Sequence, residues 1–263
     1  MRMMRLAVLP ALAASLGCAA EAASHEPLVC DDARAGEVAF GYQIAGAVFV
    51  PRGAQRYGQR YLIVDGSCRF FVASFTSGNL GEVRTGVLTA EELDAINDEL
   101  MTGPWTSVDG EEASDQVGAD APTESIWRDE LGTSCFASCN RPSDALAPML
   151  SSAREWLDRL VDRAVPMDGP VIAEVSRATD QSGDVEPWTG TTSWMDALGE
   201  ADRGEVRVDD PDDATRLRAL RAAAPPGAYH AQFRVREGDV VLDVTVVDVM
   251  PHVDAEGRLG PPF

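Results

Sequence analysis

The segment Asp248-Val249-Met250-Pro251-His252-Val253-Asp254 sets two carboxylates near an imidazole, just after the end of a predicted strand. A carboxylate beside a histidine can orient it as a general base, or share a metal with it. His252, Asp248 and Asp254 are therefore the candidate catalytic residues. The chain has three histidines. His25 lies near the start of the chain, and His230 falls on the polar face of a predicted strand. No G-x-S-x-G, H-E-x-x-H, Walker or dinucleotide glycine pattern accompanies them. Asp and Glu together number 43, so accidental carboxylate pairs abound and carry no specificity for glycoside chemistry.

Three other groups could bind a ligand. Arg216, Arg218 and Arg221 share one helix and could hold an anion, although the same spacing describes a solvated face near Asp212 and Asp213. Trp188 follows Pro187 in a loop and is the one tryptophan placed to stack on a sugar; Trp156 and Trp194 fall on apolar helical faces. Val108–Glu124 is acidic throughout, but it lacks the D-x-[DN]-x-[DN]-G frame of a calcium loop and reads as an irregular connection. Neither a cofactor nor a metal is expected.

The chain carries 43 acidic residues against 22 basic ones, a formal charge of -21. Every basic residue is Arg; there is no Lys. Such a surface repels phosphate, so nucleic acid is not an expected partner. Arg presents a planar fork to carboxylates, which favours pairing with the abundant acids.

The first residues read as an address. Arg2 and Arg5 precede an apolar run, Leu6–Leu16, far shorter than the roughly 20 residues of a bilayer span. That is the pattern of an export signal. The run ends in Ser15-Leu16-Gly17-Cys18, which resembles the lipobox of bacterial lipoproteins. Gly17 and Cys18 fit its two most restrictive positions, whereas Ser15 stands where Leu is expected. The resemblance implies a signal peptide over 1–17, diacylglycerol on Cys18, an acylated new N-terminus and a stable membrane anchor. Ala19 after the Cys is the kind of residue that permits transfer to the outer membrane. Ala20-Glu21-Ala22 offers an ordinary cleavage site instead, which would leave a soluble secreted or periplasmic protein.

Removing Cys18 from the five cysteines leaves an even set, Cys30, Cys68, Cys135 and Cys139. Three pairings are open, and chain proximity favours Cys30–Cys68 with Cys135–Cys139. Cys135-x-x-x-Cys139 could also be half of a zinc site, but metal-type C-x-x-C pairs are absent.

The elements that must position these residues follow from periodicity. Glu37–Val50 alternates as a strand. Tyr61–Val64 and Cys68–Val72 form a hairpin across Asp65-Gly66, with Ile63 opposite Cys68. Thr89 and Glu92 make a capping box for a helix. Ser125–Asp129 and Thr133–Cys135 form a second hairpin. Ser143–Arg163 is the longest helix, with Leu146, Met149, Leu150, Ala153, Trp156, Leu157, Leu160 and Val161 on its buried face. Val171–Ser176 and Glu205–Val208 are strands, and Thr192–Leu198 is a short helix. Asp210 caps a helix that has Pro211 at N1. Tyr229–Arg236 and Asp239–Val249 form the last hairpin across Glu237-Gly238, with Val235 opposite Val240 and Phe233 opposite Leu242.

These signals predict an α+β protein: antiparallel hairpins packed by about three main helices and stapled by two disulfides. A tether spans 18–28. One α+β region spans 29–165 and a second 166–263, separate or continuous. The expected function is that of an exported, membrane-anchored lipoprotein acting as a non-catalytic binding or interaction module, with envelope proteins as partners. The alternative is an envelope hydrolase using His252.

Overall fold

The computed structural model describes residues 26–45, 60–73, 82–110, 122–136, 142–181, 185–224 and 232–252. They build two antiparallel sheets. The first contains β1 (Val38–Ala45), β2 (Arg60–Asp65), β3 (Arg69–Ala73), β4 (Arg84–Val87), β5 (Thr123–Arg128), β6 (Leu131–Phe136) and β7 (Val165–Pro166). Its order is β6-β5-β1-β2-β3-β4-β7. The second contains β8 (Val171–Arg177), β9 (Arg203–Val208), β10 (Gln232–Glu237) and β11 (Val240–Asp248), in the order β10-β11-β8-β9.

Helices cover one face of each sheet. Over the first lie α1 (Ala90–Ile96), which runs into a π-turn at Asn97–Met101, then α2 (Trp105–Val108) and α3 (Leu146–Arg163). Over the second lie α4 (Trp194–Leu198) and α5 (Pro211–Ala223). The α+β class is as the sequence predicts, with three helices of seven residues or more among the five. Local chemistry sets their starts. Thr89 and Glu92 close a reciprocal capping box on α1, and Asp210 caps α5 ahead of Pro211. The buried stripe of α3 includes Leu146, Met149, Leu150, Ala153, Trp156 and Leu157, as its periodicity requires. Pro148 sits in the first turn of α3, where it removes no hydrogen bond from the helix.

Alternation divides the first sheet into two apolar faces. Phe40, Tyr42, Leu62, Val64, Phe70 and Val72 meet the helices. Tyr61, Ile63, Phe71 and Trp127 point the other way and meet Val83, Met167, Val247 and Met250. This second cluster joins the two sheets, because Val247 belongs to β11. Gly41 is required on that face: a Cβ there would lie 2.1 Å from the Trp127 ring. The second sheet presents Val171, Ala173, Val175, Leu242, Val244 and Val246 to Trp194, Ala214 and Leu217.

Two hairpin registers differ from expectation. Ile63 pairs with Phe71 and Val64 with Phe70, not Ile63 with Cys68. The Asp65 side chain accepts from Ser67 N and Arg69 N at 3.0 Å each, holding a longer turn in which Cys68 takes φ 62°. Val235 pairs with Leu242 and Phe233 with Val244, so the last turn centres on Gly238-Asp239, with Gly238 at φ 58°. The acidic connection is also shorter than predicted. Residues 111–121 lie outside the described residues, but Glu124 is fully buried in β5 rather than part of a loop.

One disulfide is described, Cys30–Cys68, closing a sequence separation of 38. Two were expected; Cys135 is buried in β6, and its expected partner Cys139 lies outside the described residues. Among the described residues no helix is long and apolar enough to cross a membrane.

Candidate functional site

A cavity of about 1000 Å³ opens where the free part of the β3–β4–β7 face meets the end of β11. Phe71, Met167 and Met250 make its apolar floor. Three large apolar side chains stand exposed among the described residues: Val29, Val87 and Val165. Two of them, Val87 and Val165, sit at the rim of this cleft. The pairings explain why. Thr85 lies opposite both Phe71 and Val165, and Val87 stands two residues on. All four therefore share the face that the second sheet covers only in part. Arg69, Arg207, Asp32 and Asp168 supply charge of both signs around the opening.

His252 closes one end. Its ring packs edge-on against Phe71, with centroids 5.1 Å apart, and its Nδ1 lies 2.8 Å from the Gly36 carbonyl oxygen. A carbonyl only accepts, so Nδ1 carries the proton and Nε2 is bare. Nε2 is buried and has no hydrogen-bond partner among the described residues. Burial depresses the pKa of this imidazole; the Gly36 hydrogen bond and the charge of Asp65 oppose the shift without cancelling it. The backbone at His252 is left-handed, with φ 92°.

The carboxylate beside His252 is Asp65, which sequence reasoning took for a turn residue. Asp65 is buried, and its oxygens are already engaged. Oδ1 accepts from the Ser67 hydroxyl at 2.7 Å as well as from two backbone amides, and Oδ2 accepts from Gly36 N at 3.3 Å. The N-terminal segment is thereby fixed against the turn. Gly66 N donates to Glu37 O at 2.8 Å, Asp31 N donates to Gly66 O at 2.9 Å, and the Cys30–Cys68 bridge adds a covalent tie. Upstream, Asn97 clasps the Leu28 backbone through two hydrogen bonds of 2.7 and 3.0 Å, and Arg128 donates to the Glu26 carbonyl. No sequence signal could have named Asp65, because its neighbours His252 and Gly36 are remote in the chain.

Asp248 serves elsewhere. Oδ1 accepts from Arg218 Nε at 2.6 Å; Oδ2 accepts from Arg221 Nη2 at 3.1 Å and from Val83 N at 2.9 Å. Arg218 also donates to Gly169 O at 2.9 Å. The arginines read as a possible anion site thus grip a carboxylate of the protein itself, and Asp248 ties α5, β11 and the first sheet together. Arg216 donates to the Thr189 hydroxyl and stands over the Trp188 ring. Trp188 is half-buried against Trp194, and its Nε1 donates to Thr192 O at 2.8 Å, which removes it as an open stacking platform. Asp213 braces the same loop by accepting from the amides and hydroxyls of Thr191 and Thr192. Burial alone would raise the pKa of Asp213, but these hydrogen bonds outweigh it and hold the carboxyl below its usual range.

Asp254, Cys18, His25 and His230 lie outside the described residues. Among the described residues no group of three or more His, Cys, Asp or Glu is arranged to hold a metal. Comparison with models of known families, with curated proteins and with solved structures yields no match.

Proposed function

We propose that this protein is an exported lipoprotein, anchored through Cys18, whose folded part is a non-catalytic binding module of the cell envelope. The leader and its lipobox-like end support the anchoring. The second bridge, Cys135–Cys139, belongs to the same reading, since an oxidising compartment favours paired thiols. The observation that carries the binding role is the cleft rimmed by Val87 and Val165 and floored by Phe71, Met167 and Met250. Exposed apolar groups gathered beside a partly covered sheet face mark an interaction site. Its size and openness suit a segment of another envelope protein that presents apolar side chains. The charges around it are nearly balanced, unlike the strongly acidic protein as a whole, so such a segment would not need to be basic.

The ionisable groups near the cleft favour binding over hydrolysis. Asp65 is occupied by donors of its own fold, Asp248 by two arginines, and Nε2 of His252, the nitrogen that could act as a base, is buried. A photocrosslinking residue placed at Val165 in cells tests this reading. The expected result is an adduct at one fixed site in an apolar segment of an envelope protein, lost when Val87→Asp is added. Scattered adducts at the yield of a control position, Val29, would overturn it.

A further inference from the structure

His252 is the last described residue, and the segment it ends, Val249–His252, is one wall of the cleft. Besides the side chain of Met250, buried in the cluster between the sheets, three contacts hold that wall in place: the ring on Phe71, Nδ1–H on the Gly36 carbonyl, and Val249 N donating to Pro170 O at 3.1 Å. Two of the three are made by a titratable ring in a backbone conformation that residues other than glycine seldom adopt. The second ring nitrogen is buried without a partner among the described residues. A bare lone pair is tolerable there, whereas a second N–H would bring a positive charge and a donor to a buried atom that has no hydrogen-bond partner among the described residues.

We propose that His252 is an acid-released latch: with its ring neutral it holds Val249–His252 against β3 and Gly36, and protonation of Nε2 frees that wall of the cleft. The inference rests on the cleft being the binding site and supplies its regulation. The charged groups that line the cleft with His252 come from several elements. The turn after β2 brings Asp65, the turn at Asp32–Arg34 brings Asp32, β3 brings Arg69, β9 brings Arg207, and the elbow before β8 brings Asp168. The Asp65 charge favours the protonated ring, while its Oδ1 accepts from Ser67 and Arg69 N and its Oδ2 from Gly36 N. Burial opposes protonation and prevails, consistent with the lowered pKa of this ring.

The sign follows from linkage. The freed imidazole titrates near its ordinary value of about 6.5, and the latched one lower. The latch is at full strength above about 6.5 and is lost as pH falls through the latched value. Opening increases up to about tenfold for each unit separating the two values.

With three histidines in the precursor, imidazole NMR of the full mature chain resolves His252 by comparison with His252→Asn. Asn tolerates the left-handed backbone and cannot take the proton. The expected result is a His252 midpoint below about 6.5. Amide exchange over 249–252, corrected for intrinsic rate, should rise through the same range in the wild type and show no such step in His252→Asn. His252→Phe, which retains a ring against Phe71, should likewise lack the step if the asparagine variant is unstable. Equal corrected exchange at pH 7.5 and 5, or a step that persists in both variants, would overturn the latch. Crosslinking at Val165 separates this inference from the binding role. A pH step in exchange without any crosslink supports the latch and defeats the binding role. A crosslink of equal yield at both pH values, with flat exchange, supports the binding role and defeats the latch.

Discussion

Glu124 and Asp248 are both buried carboxylates gripped by arginine, and they do different work. Glu124 lies within one layer: it accepts from the Tyr42 hydroxyl at 2.6 Å and from Arg154 at 2.8 and 2.5 Å, joining β1, β5 and α3 on the helix side of the first sheet. The side chain of Arg154 is 43% exposed, so its charge keeps contact with water. Asp248 lies between layers. Its two arginines are 16% and 5% exposed, and its remaining contact reaches Val83, the residue before β4. A protein with many acids and only Arg as base thus uses one buried acid to stiffen a layer and another to hold two sheets together. The cleft opens beside the second joint.

The comparison ranks the expected losses. Asp248→Ala takes a carboxylate from the buried Arg221 and removes the acceptor of Val83 N. We expect it to cost about 3–5 kcal/mol, the range for breaking a buried ion pair, measured as a shift in the urea midpoint. A loss below about 1 kcal/mol would mean that Asp248 behaves like a surface pair and does not join the sheets. Glu124→Gln keeps an acceptor for Tyr42 and leaves Arg154 free to turn outward, so we expect about 1–2 kcal/mol. Burial and the nearby Glu124 charge both raise the Tyr42 pKa. The phenol should therefore stay protonated in alkali that ionises an exposed tyrosine, and Glu124→Gln should lower its midpoint by ultraviolet titration. Thr89→Ala removes one cap, worth about 1 kcal/mol. Asp243→Asn breaks the Arg234–Asp243 pair of the β10–β11 hairpin, 40% and 22% exposed, and should cost less than about 1 kcal/mol. The order Asp248, Glu124, Thr89, Asp243 is itself the test; an inversion of the first two would reverse the roles assigned to the joints.

The same contrast explains what could be read from the sequence. In the last hairpin the register slip is two residues, which preserves the faces: Phe233, Val235, Leu242 and Val244 still point inward. One face of that sheet is polar over much of its length, so alternation identified the inward side. The pairing of Arg234 with Asp243 accompanies the true register and could have selected it. In the β2–β3 hairpin both faces are buried. Tyr61, Leu62, Ile63 and Val64 are all apolar or aromatic, and alternation carried no information. The error there was odd, and it put Ile63 opposite Cys68. Caps and helix stripes were legible because their partners lie within four residues, as with Thr89 and Glu92 or Asp210 and Asp213. His252 was legible as the imidazole worth following, but its neighbours were not. Gly36, Asp65 and Phe71 come from three distant segments, and nothing in their types marks them as a set. The carboxylate adjacent in sequence, Asp248, was drawn away by arginines on a helix thirty residues earlier.

Residues 1–28 matter as much as the cleft, because an anchored binding module requires both. The intact mass of the mature protein, isolated from membranes without reduction, tests the account most directly. We predict a chain that begins at Cys18, carries acyl chains on that residue, and has its other four cysteines in two disulfides. A chain that starts unmodified at Ala23, or one that starts at Met1 with all five thiols reduced, would contradict it.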